Sequence, residues 1–296
     1  MSQLVRVVTY NIHKGVRGVG PGRSLEIHNL GHAISRFGAD LVCLQEVRKL
    51  HRGEEKFFAH WPALPQADFL APEGYTAVYR TNAVTRHGEH GNAVLSRWPV
   101  LAHQHEDMSD HRFEQRGLLH AEMTVHGQSV HVLVVHLGLV RASRQRQLQQ
   151  LCRYIARGIA LDAPLLVAGD FNEWGPMLDR ELGSAGLSSW RQKGHATFPS
   201  RLPLLQLDHV YARGLRPLRL EVPRGGLWTK MSDHLPLIAE FELPPLAPMV
   251  LPAQLVQAAP EVTLVQAAPD AQVVGAEPQA APATACEAPT GLAQAA

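Results

Sequence analysis

The chain has 296 residues, with 28 Lys and Arg against 27 Asp and Glu. That near-neutral balance argues against a protein held to nucleic acid by bulk charge, and the length allows one large domain or two small ones. Three cysteines form no even disulfide framework, and no apolar stretch approaches the ~20 residues that span a bilayer.

In chain order, the first element is an apolar run, Val7-Val8-Thr9-Tyr10, that stops at Asn11. Residues 24–37 follow with Ile27, Leu30, Ile34 and Phe37 at helical spacing, Ser24 as N-cap and Gly38 just past the end. Leu41-Val42-Cys43-Leu44-Gln45 is a second buried strand and stops at Glu46. Residues 75–100 read as paired strands around a His/Gly loop at 86–91, with Asn92 at the loop's end. Residues 118–125 and 130–135 flank His126-Gly127-Gln128-Ser129, a hairpin signal. The second of these strands stops at His136, and residues 141–160 form an amphipathic helix through Leu148, Leu151, Cys152, Ile155 and Ile159. Leu165-Leu166-Val167-Ala168-Gly169 then stops at Asp170-Phe171-Asn172, and Ser232-Asp233-His234 opens onto a last apolar run. Hairpins mixed with strand–helix–strand units argue for mixed α/β layers instead of a purely parallel sheet.

Composition changes after Leu243. Residues 244–296 are mostly Ala, Pro, Gln and Val, without Lys, Arg, His or aromatic residues. Such a segment buries too little surface to offset its ordering entropy, so we expect a domain over 1–243 and a disordered tail over 244–296. Its short apolar pieces, Leu255-Val256 and Leu264-Val265, could bind a protein partner. Four of the 27 acidic residues and none of the 28 basic ones lie in the tail, so residues 1–243 carry a formal balance of +5. The reduced thiols expected of Cys43, Cys152 and Cys286, and an N-terminus that enters a strand without a charged-then-apolar leader, predict a cytoplasmic protein.

Short apolar runs read as strands buried on both faces, and a carboxylate at the mouth of such a strand is costly without a cation or hydrogen-bond donors. Several such carboxylates, grouped with amides and histidines, point to a metal-assisted site acting on something anionic. The order Tyr-Asn-Ile-His-Lys-Gly (10–15), Leu-Gln-Glu-Val (44–47), Gly-Asp-Phe-Asn (169–172), Leu-Asp-His-Val (207–210) and Ser-Asp-His-Leu-Pro (232–236) resembles the endonuclease/exonuclease/phosphatase (DNase I-like) superfamily. The resemblance spans roughly residues 4–243 and is nearest to compact bacterial members of unassigned substrate. It implies an α/β (α+β) fold, a four-layered sandwich of two packed mixed β-sheets flanked by helices, with the site at one end.

The resemblance also implies roles. Glu46 and Asp233 become metal ligands, with Asn11 supporting the metal-binding acid and the phosphate. Mg²⁺ suits two separated acids, since it prefers hard oxygens and keeps several waters, and Mn²⁺ could substitute. Asp208 orients His234 and supports its imidazolium form. His136 lies over the scissile phosphate. Asp170 could accept a proton from attacking water while Asn172 donates to a phosphate oxygen; Asp170 and His234 both remain open as the base. Asn92, Arg116 and Lys14 are further candidates for substrate contact. His209, next to Asp208 in a strand, must face the other way.

The expected activity is hydrolysis of a phosphodiester or phosphomonoester by in-line attack of water. The mild charge favours a phospholipid headgroup, an inositol-type phosphate or another small substrate, with transient contact at a membrane surface. Nucleic acid is the alternative, as for a DNA or RNA nuclease, and a non-catalytic phosphate-ligand or protein-binding member is a third reading. Retention of Asn11, Glu46, Asp170, Asn172, Asp208, Asp233 and His234 together favours catalysis.

Overall fold

The computed structural model describes residues 3–18, 20–189 and 194–245. The expected tail, with Cys286, lies outside them apart from Pro244 and Pro245. Among the described residues thirteen strands and six α-helices follow one another. β1 (Gln3–Asn11), β2 (Val16–Arg17), β3 (Ser24–Leu25), α1 (Ile27–Arg36) and β4 (Leu41–Val47) come first. Next are α2 (Arg52–Phe57), α3 (Gln66–Leu70), β5 (Thr76–Thr85), β6 (Gly88–Ser96) and β7 (Val100–Asp107). β8 (Gly117–Val125), β9 (Gln128–His136), α4 (Arg141–Gly158), β10 (Leu165–Asp170) and α5 (Met177–Ser184) follow. β11 (Asp208–Arg213), β12 (Arg216–Glu221), α6 (Trp228–Met231) and β13 (Leu237–Leu243) complete the described chain.

Two mixed sheets carry the structure. One has the order β12-β13-β1-β4-β6-β5 and the other β11-β10-β9-β8-β7; β2 and β3 form a separate small pair. β1 runs parallel to β4 and β10 parallel to β9, while the remaining pairs in the two sheets are antiparallel. The alternation of each strand sorts its side chains between layers. Val5, Val7, Leu41, Cys43 and Val94 of the first sheet meet Ala121, Met123, Val132, Val134, Leu166 and Ala168 of the second in the central core. The opposite parity of the first sheet, including Val8, Tyr10, Val42 and Leu44, packs with Ile27, Leu30, Ile34, Leu70 and Met231. Leu133, Val135, Leu165 and Val167 likewise pack with Leu148, Leu151, Ile155, Leu178 and Leu182. Four layers result, as the motifs implied.

Two local expectations need correction. Ser24 does not cap α1: it belongs to β3, where Arg17 pairs with Ser24 and Val16 with Leu25, and the helix starts after Glu26. Ser24 Oγ instead donates to Glu26 Oε1 at 2.8 Å. The His/Gly loop shrinks to Arg86-His87, because Thr85 already pairs with Gly88, and this puts Asn92 inside β6 rather than at a loop end. The second hairpin turns on His126-Gly127, both at positive φ (50° and 82°), the backbone that a tight two-residue turn between twisted strands requires. Cys43 and Cys152 are free, as expected.

Candidate active site

The inner-face parity that builds the central core continues to the strand ends and changes chemistry there. Asn11 follows Val5 and Val7 by the two-residue step, His136 follows Val132 and Val134, Asp170 follows Leu166 and Ala168, and Asp208 precedes Val210 and Ala212. Register aligns them: Asp170 pairs with His136 on one side and Asp208 on the other. All four are buried, so the polar cluster is the end cap of the apolar core. Gly169 makes this alignment possible, since a Cβ there would lie 2.0 Å from Val135 O.

Asp170 is the focus. Its Oδ2 accepts a hydrogen bond from Asn11 Nδ2 at 3.0 Å across the two sheets, and its Oδ1 accepts the Asn172 N–H at 2.9 Å. The Nε2 atoms of His136 and His234 each lie 3.6 Å from the same Oδ2, close enough for attraction and too long for a direct hydrogen bond. Asn172 sits at φ 49°, a left-handed conformation that asparagine tolerates, and its Nδ2 donates to Leu137 O at 2.9 Å. One turn thus fixes both Asp170 and Asn172.

His234 and Asp208 form the expected unit, with Nδ1 2.8 Å from Asp208 Oδ2. Burial alone would lower the His234 pKa, but Asp208, Asp170 and Asp233 override it and raise it to about 10. His234 is therefore an imidazolium at neutral pH. His136 behaves oppositely: burial, then the Arg116 charge, outweighs Asp170 and Glu46 and pushes it down to about 4. A charged and a neutral imidazole face one carboxylate, and their environments set the difference. Ser232 locks the approach, donating from Oγ to Asn11 O at 2.7 Å while accepting the His234 N–H at 3.2 Å.

Glu46 lies at a β-bulge where the pairing of β4 with β6 shifts register, and its φ is 57°. A non-glycine residue held there is strained, and such strain concentrates at functional sites. Lys14 Nζ is 2.9 Å from Glu46 Oε2. Burial would raise the Glu46 carboxyl, but the Lys14 ammonium holds it well below the usual carboxylate range. His13 Nδ1 lies 3.9 Å from Glu46 Oε2 and 3.4 Å from Asp233 Oδ1, so both acids face one ring. Asn11 Oδ1 accepts the His13 N–H at 3.0 Å. His13, Lys14 and Gly15 all have positive φ, and a Cβ on Gly15 would lie 2.8 Å from Gln66 Nε2.

The structure gives the remaining candidates definite places. Asn92 is fully buried and donates from Nδ2 to Gly117 O (2.9 Å) and Val134 O (3.0 Å), so its amide N–H groups clip one sheet to the other. Arg116 donates to Leu137 O, Gln115 O and Glu114 Oε1, which leaves it as a charge behind His136. Arg144, at the start of α4, is buried in an ion pair with Glu173, and Arg146 pairs with Asp110. His209 faces away, as parity requires, toward Glu173 O and Gln206 O. Two residues near Glu46 receive no role from the motifs: His13, and His90, which burial pushes down to about 4. His13 stood inside the first motif, but a histidine after a strand end carries no mark of its direction.

One grouping of three metal-capable atoms occurs among the described residues, Asp170, Asp208 and His234, within 4.8 Å of one another. Within it His234 Nδ1 and Asp208 Oδ2 already hold each other at 2.8 Å. The Glu46–Asp233 side has the character that a hard cation needs: Glu46 Oε2 is buried without a well-aligned hydrogen bond, beside the half-exposed Asp233.

Known proteins resemble this chain in sequence and in fold. The endonuclease/exonuclease/phosphatase family model matches residues 8–234. The uncharacterized protein YbhP of Escherichia coli (strain K12) is 37% identical over 246 residues, 80% of this chain and 96% of that protein. Among solved structures, an endonuclease/exonuclease/phosphatase from Beutenbergia cavernae superposes with a TM-score of 0.62 at 21% identity, covering 81% of this chain and 72% of its own. D. rerio TDP2 complexed with a single-strand DNA product gives 0.58 at 17% identity, covering 80% and 98%. From the first strand to the closing Ser-Asp-His, this chain belongs to the endonuclease/exonuclease/phosphatase family.

Proposed function

We propose that the chain is a divalent-metal-dependent phosphoesterase that cleaves a P–O bond by in-line attack of water. The observation that carries this reading is the convergence of Asn11, His136 and His234 on Asp170, beside the Glu46–Asp233 pair. A Mg²⁺ or Mn²⁺ ion held by Glu46 and Asp233 would neutralise phosphate charge and polarise the leaving oxygen. Asp170 accepts the proton of the attacking water. The His234 imidazolium, supported by Asp208, donates to a phosphate oxygen instead of acting as base. His136, neutral and buried, and Asn172 complete the donor set around the phosphorus.

The substrate class is a phosphate ester. A lipid headgroup or other small ester is supported by Leu139, Trp174 and Leu202, exposed apolar residues on loops that leave His136, Asn172 and the cavity bordering Asp233. D. rerio TDP2, bound to single-strand DNA, keeps the nuclease reading as the alternative.

Hydrolysis of bis-p-nitrophenyl phosphate, sphingomyelin, phosphoinositides, single-stranded DNA and RNA with Mg²⁺, Mn²⁺ or EDTA tests the reading. Glu46→Gln keeps size but removes the ligand charge, so it should weaken Mg²⁺ affinity and lower turnover together. Activity that survives EDTA, or a variant with the Mg²⁺ dependence of the wild type, would overturn the assignment.

A further inference from the structure

The loop that carries His13 and Lys14 has a second face. Beyond it, next to Glu46, lies a cavity of about 270 Å³ bordered by His13, Lys14, Gly18, Arg23, Arg48 and Glu54. Arg23 NH1 and Arg48 NH1 both address the same carboxylate oxygen, Glu54 Oε1, at 2.7 and 3.4 Å. One carboxylate cannot neutralise two guanidiniums; Lys14, on the same wall, is paired with Glu46, so three cations face two carboxylates. Arg48 NH1 meets Glu54 Oε1 without good hydrogen-bond geometry, and Glu54 Oε2 is likewise buried without a hydrogen bond. A guanidinium and a carboxylate so poorly matched leave positive charge on the cavity wall that the ion pair does not fully compensate.

The cluster is also rigidly held. Arg23 is fixed by Nε donating to Gly20 O at 2.9 Å and by the Phe57 ring, 4.4 Å from its guanidinium carbon. Gln66, buried in α3, joins the two sides: its Nε2 donates to Lys14 O and its Oε1 accepts the Arg48 N–H, each at 2.8 Å. Two positioned guanidiniums that share one carboxylate suit the paired oxygens of a phosphate.

We propose that this cavity is a subsite for a second phosphate on the substrate, next to the one that is cleaved. The proposal rests on the phosphoesterase reading for the position of the cleaved group, and it narrows the substrate to an ester with two phosphates on one short scaffold. A nucleotide and a phosphorylated polyol share that chemistry.

Isothermal titration of the full chain in EDTA, where nothing turns over, separates the two. The probes are thymidine 3′,5′-bisphosphate against thymidine 5′-monophosphate, and inositol bisphosphate against inositol monophosphate. One bisphosphate should bind about tenfold or more tightly than its monophosphate, and the pair that shows the gap identifies the scaffold. Arg48→Gln should close the gap. Arg23→Gln, at the more exposed guanidinium, should do the same and serves if Arg48→Gln fails to fold. Equal affinities within both pairs would overturn the subsite, as would a gap that survives both substitutions. The measurement stands apart from the assay above: absence of hydrolysis removes the phosphoesterase reading and leaves the binding gap intact.

Discussion

The chemistry of single residues here is set by neighbours more than by residue type. His136 and His234 approach the same oxygen of Asp170, yet one is held neutral and the other charged. The difference comes from Asp208, which gives His234 a buried anionic partner, whereas His136 has Arg116 behind it. If Asp208 acts only through His234, Asp208→Asn should leave the fold intact and lower kcat by a factor on the order of 10²–10⁴. The double substitution with His234→Ala should then be little worse than His234→Ala alone. Comparing kcat for both single variants and the double variant at one pH decides it; multiplicative losses would mean independent roles. The identity of this pair was legible in the sequence, because the two motifs name both residues. The resemblance also implied the imidazolium form through Asp208; the share of Asp170 and Asp233 in it was not legible, since it depends on carboxylates brought together from β10 and the loop before β13.

At the scale of elements, the same division holds. The strand ends and α4 could be read from uninterrupted apolar runs and from a helical stripe, because burial on both faces leaves a strong compositional signal. The α1 start could not, because a serine that satisfies a cap rule was claimed by the pairing of β2 with β3. Nor could the bulge at Glu46, since a left-handed glutamate has no sequence signature. Asn92 was legible as a loop-end amide for substrate contact but not as a clip, because its partners, Gly117 O and Val134 O, are backbone atoms of the opposite sheet. Asn92→Ala should remove both inter-sheet hydrogen bonds, leave a cavity between the sheets and cost about 2–4 kcal/mol. Urea denaturation should show a lower midpoint with an unchanged m-value. A loss below about 0.5 kcal/mol, the level of an indifferent surface change, would show that the clip contributes little.

Over the whole molecule, the site belongs to neither sheet. Asn11 and Glu46 come from one, His136, Asp170 and Asp208 from the other, and the Asn11–Asp170 hydrogen bond spans them. The central core that separates the sheets, nominally by about 10 Å, therefore acts as a shim whose thickness sets the gap between catalytic groups. Equal damage to stability should then have unequal effects on rate, depending on the layer where it falls. Met123 and Leu151 are both fully buried, the first between the sheets and the second on the inner face of α4. Replacing either with alanine should cost roughly 2–5 kcal/mol. Only Met123→Ala, which pairs with Val130 at the end of β8 remote from His136, should also depress kcat severalfold on a soluble substrate. Equal turnover in the two variants, at matched folded fraction, would show that the gap is set locally. On the shim account, substitutions that never touch substrate can tune the rate of this fold, and drift in its interior is heard at its mouth.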